Sequence, residues 1–252
     1  MRCAVSASAF ALTTGVAFGA ASPLYTITAI SGGQRATYSI TMDDIITNMG
    51  DNGVLSWSLD GPIDLMSSNG TRLGTLADSA FVFQESDTQA RGGAPTSSSS
   101  LALDFSIQAG STLTDFVISA GNTLDSVLMQ AVYEATAAVT VTDTQAAGGS
   151  ATLTGTGATA PNVYNFGFNG FTVGGLVPGP FQTGLSTSAS DAVGLTALGG
   201  NASSMFANFT FSLSANDTAS GTSLLTINGV VPAPASAALL GLGGLVATRR
   251  RR

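Results

Sequence analysis

Alternation of apolar and polar residues is the feature that most restricts the fold of this chain. Between Met205 and Leu213, Met, Ala, Phe, Phe and Leu alternate with Phe, Asn, Thr and Ser. Between Tyr133 and Thr142, Tyr, Ala, Ala, Val and Val alternate with mostly polar residues, including three Thr. A two-residue period places one set of side chains on each face of a β-strand. Both segments therefore predict strands with one buried face.

Shorter segments of the same kind recur between clusters of Gly, Asn, Asp and Ser, which are typical of turns. These further predicted strands are Tyr25–Ile30, Ala36–Met42, Val54–Leu59, Ala80–Gln84, Leu101–Ile107, Leu113–Ile118, Ala151–Leu153 and Leu224–Val230. We expect residues 151–153 to return as a hairpin beside the strand at 133–142. The spacing of the strands is close to that of sandwiches and jelly rolls.

Three segments interrupt this pattern. Residues 123–130 fit either a short helix or a continued strand, and residues 43–48 could close a helical turn. Residues 92–100 are rich in Gly and Ser and are predicted to form a flexible loop. The resulting fold prediction for residues 22–230 is an all-β body, either an antiparallel two-sheet sandwich or a jelly-roll-like domain.

The residue types present exclude most catalytic chemistry. The chain of 252 residues has no His and no Lys, and its one cysteine, Cys3, lies near the N-terminus. Ser-His-Asp and Cys-His sites, Schiff-base lysines and His-ligated zinc are therefore ruled out. We predict no catalytic residue, no cofactor and no metal ligand, and hence a protein that is not an enzyme.

Carboxylates are the groups that keep alternatives open. Glycoside hydrolysis needs only two of them, and Glu85 and Glu134 are the only glutamates of the chain. The acidic pairs Asp43-Asp44 and Asp51-Asn52 could be calcium ligands, but neither fits a calcium-binding loop. We interpret these pairs as helix caps and turn residues.

The charge of the body excludes nucleic acid as a partner. Arg35, Arg72 and Arg91 are its only basic residues, and all 15 acidic residues lie in it, so its formal charge is 3 − 15 = −12. A negatively charged surface repels the phosphate backbones of nucleic acids.

Residues 1–21 have the order of features found in a secretory signal peptide. Arg2 gives a short positive region, residues 4–18 are weakly apolar and contain no acidic residue, and small residues precede Pro23. This order predicts a signal helix that is removed during export.

The C-terminus contains three features in a fixed order. Val231, Pro232, Ala233 and Pro234 form an extended segment that cannot continue a helix. Residues 235–248 are uncharged and mainly apolar, and Arg249, Arg250, Arg251 and Arg252 end the chain. As a helix, the apolar stretch would be about 21 Å long, which can cross a membrane of about 30 Å if the arginines snorkel and the bilayer thins. The arginines would remain on the cytoplasmic side.

This tail, residues 231–252, resembles the PEP-CTERM sorting signal of bacteria that produce exopolysaccharide. The resemblance lies in the Pro-x-Pro motif, the continuation from Ala235 to Gly243 and the terminal arginines; Ala233 stands where that family has Glu. It implies sorting and processing by an exosortase-type enzyme, with residues 231–234 as the sorting motif and residues 249–252 as the membrane stop.

Together the two ends predict an exported protein of the cell surface or extracellular matrix. It would first be anchored in the inner membrane through its tail and would reach the cell surface or the medium after processing. The expected partners are the inner membrane, the processing enzyme and, as a further candidate, exopolysaccharide. The alternative function is a carbohydrate-binding module or a carboxylate-only glycoside hydrolase.

Overall fold

The computed structural model describes residues 23–45, 54–88, 95–145 and 149–232. These residues are nearly all in antiparallel strands, which confirms the prediction of an all-β body. The predicted signal helix at 1–21 and the predicted apolar helix at 235–248 lie outside the described residues. The elements are β1 (Tyr25–Ser31), β2 (Gln34–Ile40), α1 (Met42–Ile45), β3 (Val54–Ser58), β4 (Ile63–Met66), β5 (Arg72–Thr88), β6 (Thr96–Ala109), β7 (Thr114–Thr142), β8 (Ala151–Gly155), β9 (Asn162–Phe168), β10 (Phe171–Pro178), β11 (Phe181–Thr183), β12 (Ser186–Ala197), β13 (Ala202–Leu213) and β14 (Thr218–Val230).

Strand β7, with 29 residues, connects two parts of the hydrogen-bonded network. Its N-terminal part, from Thr114 to Thr123, pairs with β1 and β13. Its C-terminal part, from Met129 to Thr142, pairs with β12 and β14. Between these parts Gln130 has a left-handed φ of 50°, and register shifts interrupt the pairing on both flanking strands. Such irregularities bend a strand, so β7 can leave one group of partners and join another.

Two half-sheets result. The first half-sheet runs in the order β2-β1-β7-β13-β9-β10, with β8 and β11 beside one end of β13. The second half-sheet runs in the order β12-β7-β14-β6-β5-β3, with β4 paired to the first part of β5. Strand β14 is central, because it pairs with β6 and β7 along nearly all of its length.

Aromatic side chains join the inner faces of the two half-sheets. The ring of Phe105 in β6 lies 4.9 Å from Phe209 and 5.7 Å from Phe211, both in β13. Tyr25 in β1 lies 5.6 Å from Phe81 in β5. All five side chains are buried. Contacts of this kind add specific aromatic geometry to the burial of apolar area, so the core lies between the two half-sheets.

Two local predictions were wrong, and a third, which left two alternatives open, is resolved. Residues 151–153 form part of β8, which pairs with β11 and β13 and not with residues 133–142. Residues 96–100 are not a loop, because they begin β6 and are paired on both sides. Residues 123–130, for which a short helix and a continued strand were both open, continue the strand as the middle of β7. In the first two cases long-range pairing overrides the local signal.

Candidate functional site

The predicted sorting motif begins where the last strand ends. Strand β14 finishes at Val230, and the backbone N–H of Val231 donates a hydrogen bond of 2.9 Å to the carbonyl oxygen of Pro95. Pro232 is exposed. Ala233 and Pro234, together with Arg249, Arg250, Arg251 and Arg252, lie outside the described residues. Val231 is half-buried and packs against the core close to the start of β6, so the described motif leaves the core at Pro232.

A shallow concave surface lies on the outer face of the second half-sheet. A depression of about 660 Å³ opens across β12, β7 and β14, and a second of about 320 Å³ opens across β7, β14, β6 and β5. Both are lined by Ala138 and Thr222, so they form one continuous trough across five strands. The other side chains that line it from the outer face are Asp78, Asp104, Ser106, Thr136, Thr140, Ser190, Ala192, Ser220 and Leu224.

Strand register explains why these residues meet. Across the second half-sheet, Ser190 pairs with Ala138, Ala138 with Thr222, and Thr222 with Asp104. Directly paired residues point to the same face of a sheet. The alternation of each strand therefore brings polar residues that are distant in sequence into rows that cross the strands.

Hydroxyl groups dominate the trough and its surroundings. The Thr140 hydroxyl lies 2.8 Å from that of Ser188, and the Thr142 hydroxyl lies 3.0 Å from that of Ser186. Within the described part of the chain, the hydroxyl of Thr222 makes no hydrogen bond to protein, and Thr222 is exposed. Such hydroxyls can donate and accept bonds to a ligand.

Two carboxylates lie at the end of the trough where it crosses β6 and β5. Asp78 pairs with Ser106, and Asp104 lies two residues earlier on β6. Partial burial raises the pKa of Asp104, and the charge of Asp78 raises it further. This part of the trough therefore has a negative potential.

The structure does not bring Glu85 and Glu134 together. Glu85 lies in the cross-strand row of Ser99, Ile227 and Tyr133, whereas Glu134 lies in the next row, opposite Thr226. Adjacent rows point to opposite faces of a sheet. The two glutamates thus face opposite sides of the second half-sheet and cannot act on one glycosidic bond as this structure stands.

Glu85 has a different carboxylate as its neighbour. Its oxygens accept the backbone N–H of Asp125 at 3.2 Å and the Ser99 hydroxyl at 3.2 Å, and its side chain also bonds to the Asp125 carboxyl. Loss of solvation, the bond to the Asp125 side chain and the charge of Asp125 raise the pKa of Glu85 to about 7. Sequence reasoning missed this pair, because the two residues are 40 positions apart and no local pattern links β5 to the bend of β7.

Asp44, in one of the two predicted acidic pairs, acts as a local cap. Asp44 accepts the backbone N–H of Thr41 at 2.7 Å and its hydroxyl at 2.8 Å, and these bonds lower the pKa of Asp44. Asp43 lies beside it in α1, and Asp51 and Asn52 lie outside the described residues. Asp143 accepts the backbone N–H of Gln145 at 2.8 Å. No cluster of three metal-ligating side chains occurs in residues 23–45, 54–88, 95–145 and 149–232.

Aromatic residues contribute nothing to the outer face of the second half-sheet. Trp57 is packed against Tyr25 and Tyr38, with ring centroids 5.5 Å and 6.1 Å away. Among the described aromatics Phe171, with 76% of its surface exposed, stands apart, and it lies on β10 of the other half-sheet. A sugar-binding surface built on a strip of stacked aromatics is therefore not present in the described strands.

Comparison with known proteins gives no further identification. No family model matches the chain, and no curated protein is similar to it. Within the described ranges, no helix combines the length and the apolar character that a membrane crossing requires.

Proposed function

We propose that this chain is an exported protein of the cell surface or extracellular matrix, delivered by its C-terminal tail, and that its body acts by association without catalysis. The observation that carries the proposal is the position of the sorting motif. Strand β14 ends at Val230, Val231 packs against the core and is fixed to Pro95, and Pro232 is exposed. A processing enzyme could therefore reach the motif while the body is folded.

The body is proposed to be a two-sheet sandwich, which would suit this role. Support comes from the aromatic contacts between the half-sheets, such as that of Phe105 with Phe209. Its outer surface is poor in basic groups: Arg72 forms an exposed ion pair with Asp64 at 3.8 Å, and Arg35 lies on β2. A surface rich in Ser and Thr with a net negative charge favours solubility outside the cell.

Cell fractionation tests the proposal. A chain that ends at Pro232 keeps every described strand and the bond between Val231 and Pro95, so it isolates the contribution of the tail. We expect the full chain in the envelope or extracellular fraction and the shortened chain in the soluble exported fraction. A full chain that remained soluble in the cytoplasm would refute the sorting proposal.

Two matched variants separate processing from anchoring. Replacement of Pro232 and Pro234 by Ala should leave the chain in the membrane fraction but block removal of the tail, which intact-mass spectrometry of the mature protein would detect. Replacement of Arg249 to Arg252 by Ser should impair the orientation and retention of the tail. If the Pro variant gave the mature mass of the parent, the motif would have no role in processing.

A further inference from the structure

We propose that the trough on the outer face of the second half-sheet binds an extended, uncharged glycan that lies across the strands from β12 to β5. The inference deepens the proposed function, on which it rests, by naming the ligand class with which a matrix-associated body would interact. It is carried by the shape of the trough, the chemistry of its walls and the sign of its charge.

The shape fits a linear polymer better than a compact ligand. Five neighbouring strands line the trough, and at about 4.8 Å between strands it spans about 19 Å. The depressions of about 660 Å³ and 320 Å³ share Ala138 and Thr222 and are open to solvent along their length. Ala138, with a side chain of one carbon, lies in the middle row of residues that crosses the strands. The larger side chains of Leu224 and Thr140 lie in the rows on either side of it.

The chemistry of the walls fits sugar hydroxyls. Thr222, Ser220 and Ser106 offer hydroxyls that can both donate and accept, as the hydroxyls of a sugar do. The Asp104 carboxylate can accept bonds from sugar hydroxyls, and bonds to a charged acceptor are the stronger ones. Ala138 and Leu224 present apolar surface that can contact the C–H groups of a sugar ring.

Charge and backbone pairing argue against other polymers. Asp78 and Asp104 would repel a polyuronate or a nucleic acid, and no basic side chain lines the described trough. A peptide could not add as a strand here, because the backbone groups of β7, β14 and β6 are already paired on both sides. The neutral glycan is thus the polymer that the observed groups accommodate.

Binding of the full-length chain in mild detergent to soluble glycans tests the inference. The probes are a neutral glucan, a galactomannan and a polyuronate, measured by isothermal titration calorimetry and by affinity electrophoresis. We expect at least one neutral glycan to bind, with an affinity that rises with the length of its oligomers, and the polyuronate not to bind. Preference for the polyuronate, or no binding of either neutral glycan, would overturn the inference.

Variants locate the site. Thr222→Val and Asp104→Asn keep the size and exposure of the side chain and should each raise the Kd about threefold to tenfold, as expected for one lost hydrogen bond. Ala138→Phe should abolish binding by filling the trough. The control is Thr226→Val, which lies on the same strand and face as Thr222 but outside the lining, and should leave the Kd unchanged.

The outcomes distinguish this inference from the proposed function. Circular dichroism confirms that each variant is folded, and the two isosteric changes decide the question if the Phe variant does not fold. Equal Kd values for Thr222→Val, Asp104→Asn and Thr226→Val would show that the glycan binds elsewhere. The chain that ends at Pro232 should bind glycan like the full chain, so a failure of sorting would leave the binding result unaffected, and the reverse also holds.

Discussion

Replacement of Glu85 by Gln should make the stability of this protein less dependent on pH. In the folded chain the pKa of Glu85 is raised from 4.5 to about 7, chiefly by loss of solvation and by the Asp125 carboxyl. The protonated form is therefore stabilised by folding. This contribution is fully present below pH 4.5, is lost as the pH rises through about 7, and is absent above it. Gln remains neutral at every pH and can still bond to Asp125 and Ser99.

The size of the effect follows from the shift. At about 1.36 kcal/mol per pKa unit, the full difference between the ordinary and the raised pKa of Glu85 corresponds to about 3 kcal/mol. Glu85 is only half-buried, so solvent screening reduces the expected difference to about 1 kcal/mol. The Gln variant should match the parent near pH 4.5 and exceed its free energy of unfolding by about 1 kcal/mol at pH 8.

Urea unfolding between pH 4.5 and 8.5, followed by fluorescence, measures this difference. Trp57 is the single tryptophan of the chain, and its contacts with Tyr25 and Tyr38 make it a reporter of the packing between β1, β2 and β3. Glu134→Gln, at the only other glutamate, is the control and should follow the parent at every pH. If the curve of the Glu85 variant ran parallel to that of the parent over the whole range, the assignment of a half-buried acid pair would be wrong.

Other perturbations test the packing. Phe105→Ala should lower the free energy of unfolding by about 3–5 kcal/mol, because it removes a buried ring that contacts Phe209 and Phe211 of β13. Phe171→Ala, at an exposed ring, should cost less than about 0.5 kcal/mol; equal losses in urea unfolding would contradict a core between the half-sheets. Gly155→Ala should cost about 3 kcal/mol, because its Cβ would overlap the backbone oxygens of Pro161 and Asn162, while Gly61→Ala, where a Cβ meets nothing, should change little. Calorimetry measures both losses, and a larger loss for the Gly61 variant would contradict this packing. Deletion of residues 233–252 should leave the thermal midpoint of the body unchanged, and a clear fall would mean that the tail is part of the core.

Sequence reasoning succeeded where a single strand carries its own evidence. Alternation placed Met205, Phe209 and Phe211 on one face of a strand, and all three are buried in β13. It likewise separated Val139 and Val141 from Thr140 and Thr142 in β7. A period of two is a local property, so it survives whatever the strand pairs with.

Local alternation does not predict which strands pair with each other. Nothing near Ala151 indicates that β8 pairs with β13, about 60 residues away, and not with its neighbour β7. The same limit hid the trough, because its members Ser190, Thr222 and Asp104 belong to three strands whose order is set by long-range contacts. The run of Ser at 97–100 was misleading for a related reason. It is typical of a loop, but Ser97 and Ser99 are buried in β6, which pairs with β5 and β14.

The central position of β14 has a mechanical consequence. The tail continues directly from this strand, so tension applied through the tail would enter the fold along the axis of β14. Both neighbours, β6 and β7, hold that strand through paired residues from Thr218 to Val230. A pull along the strand loads these bonds together, in shear, whereas a pull on an edge strand at right angles to its axis would open them one at a time. The chain is thus attached to its tail at the strand that resists extraction best.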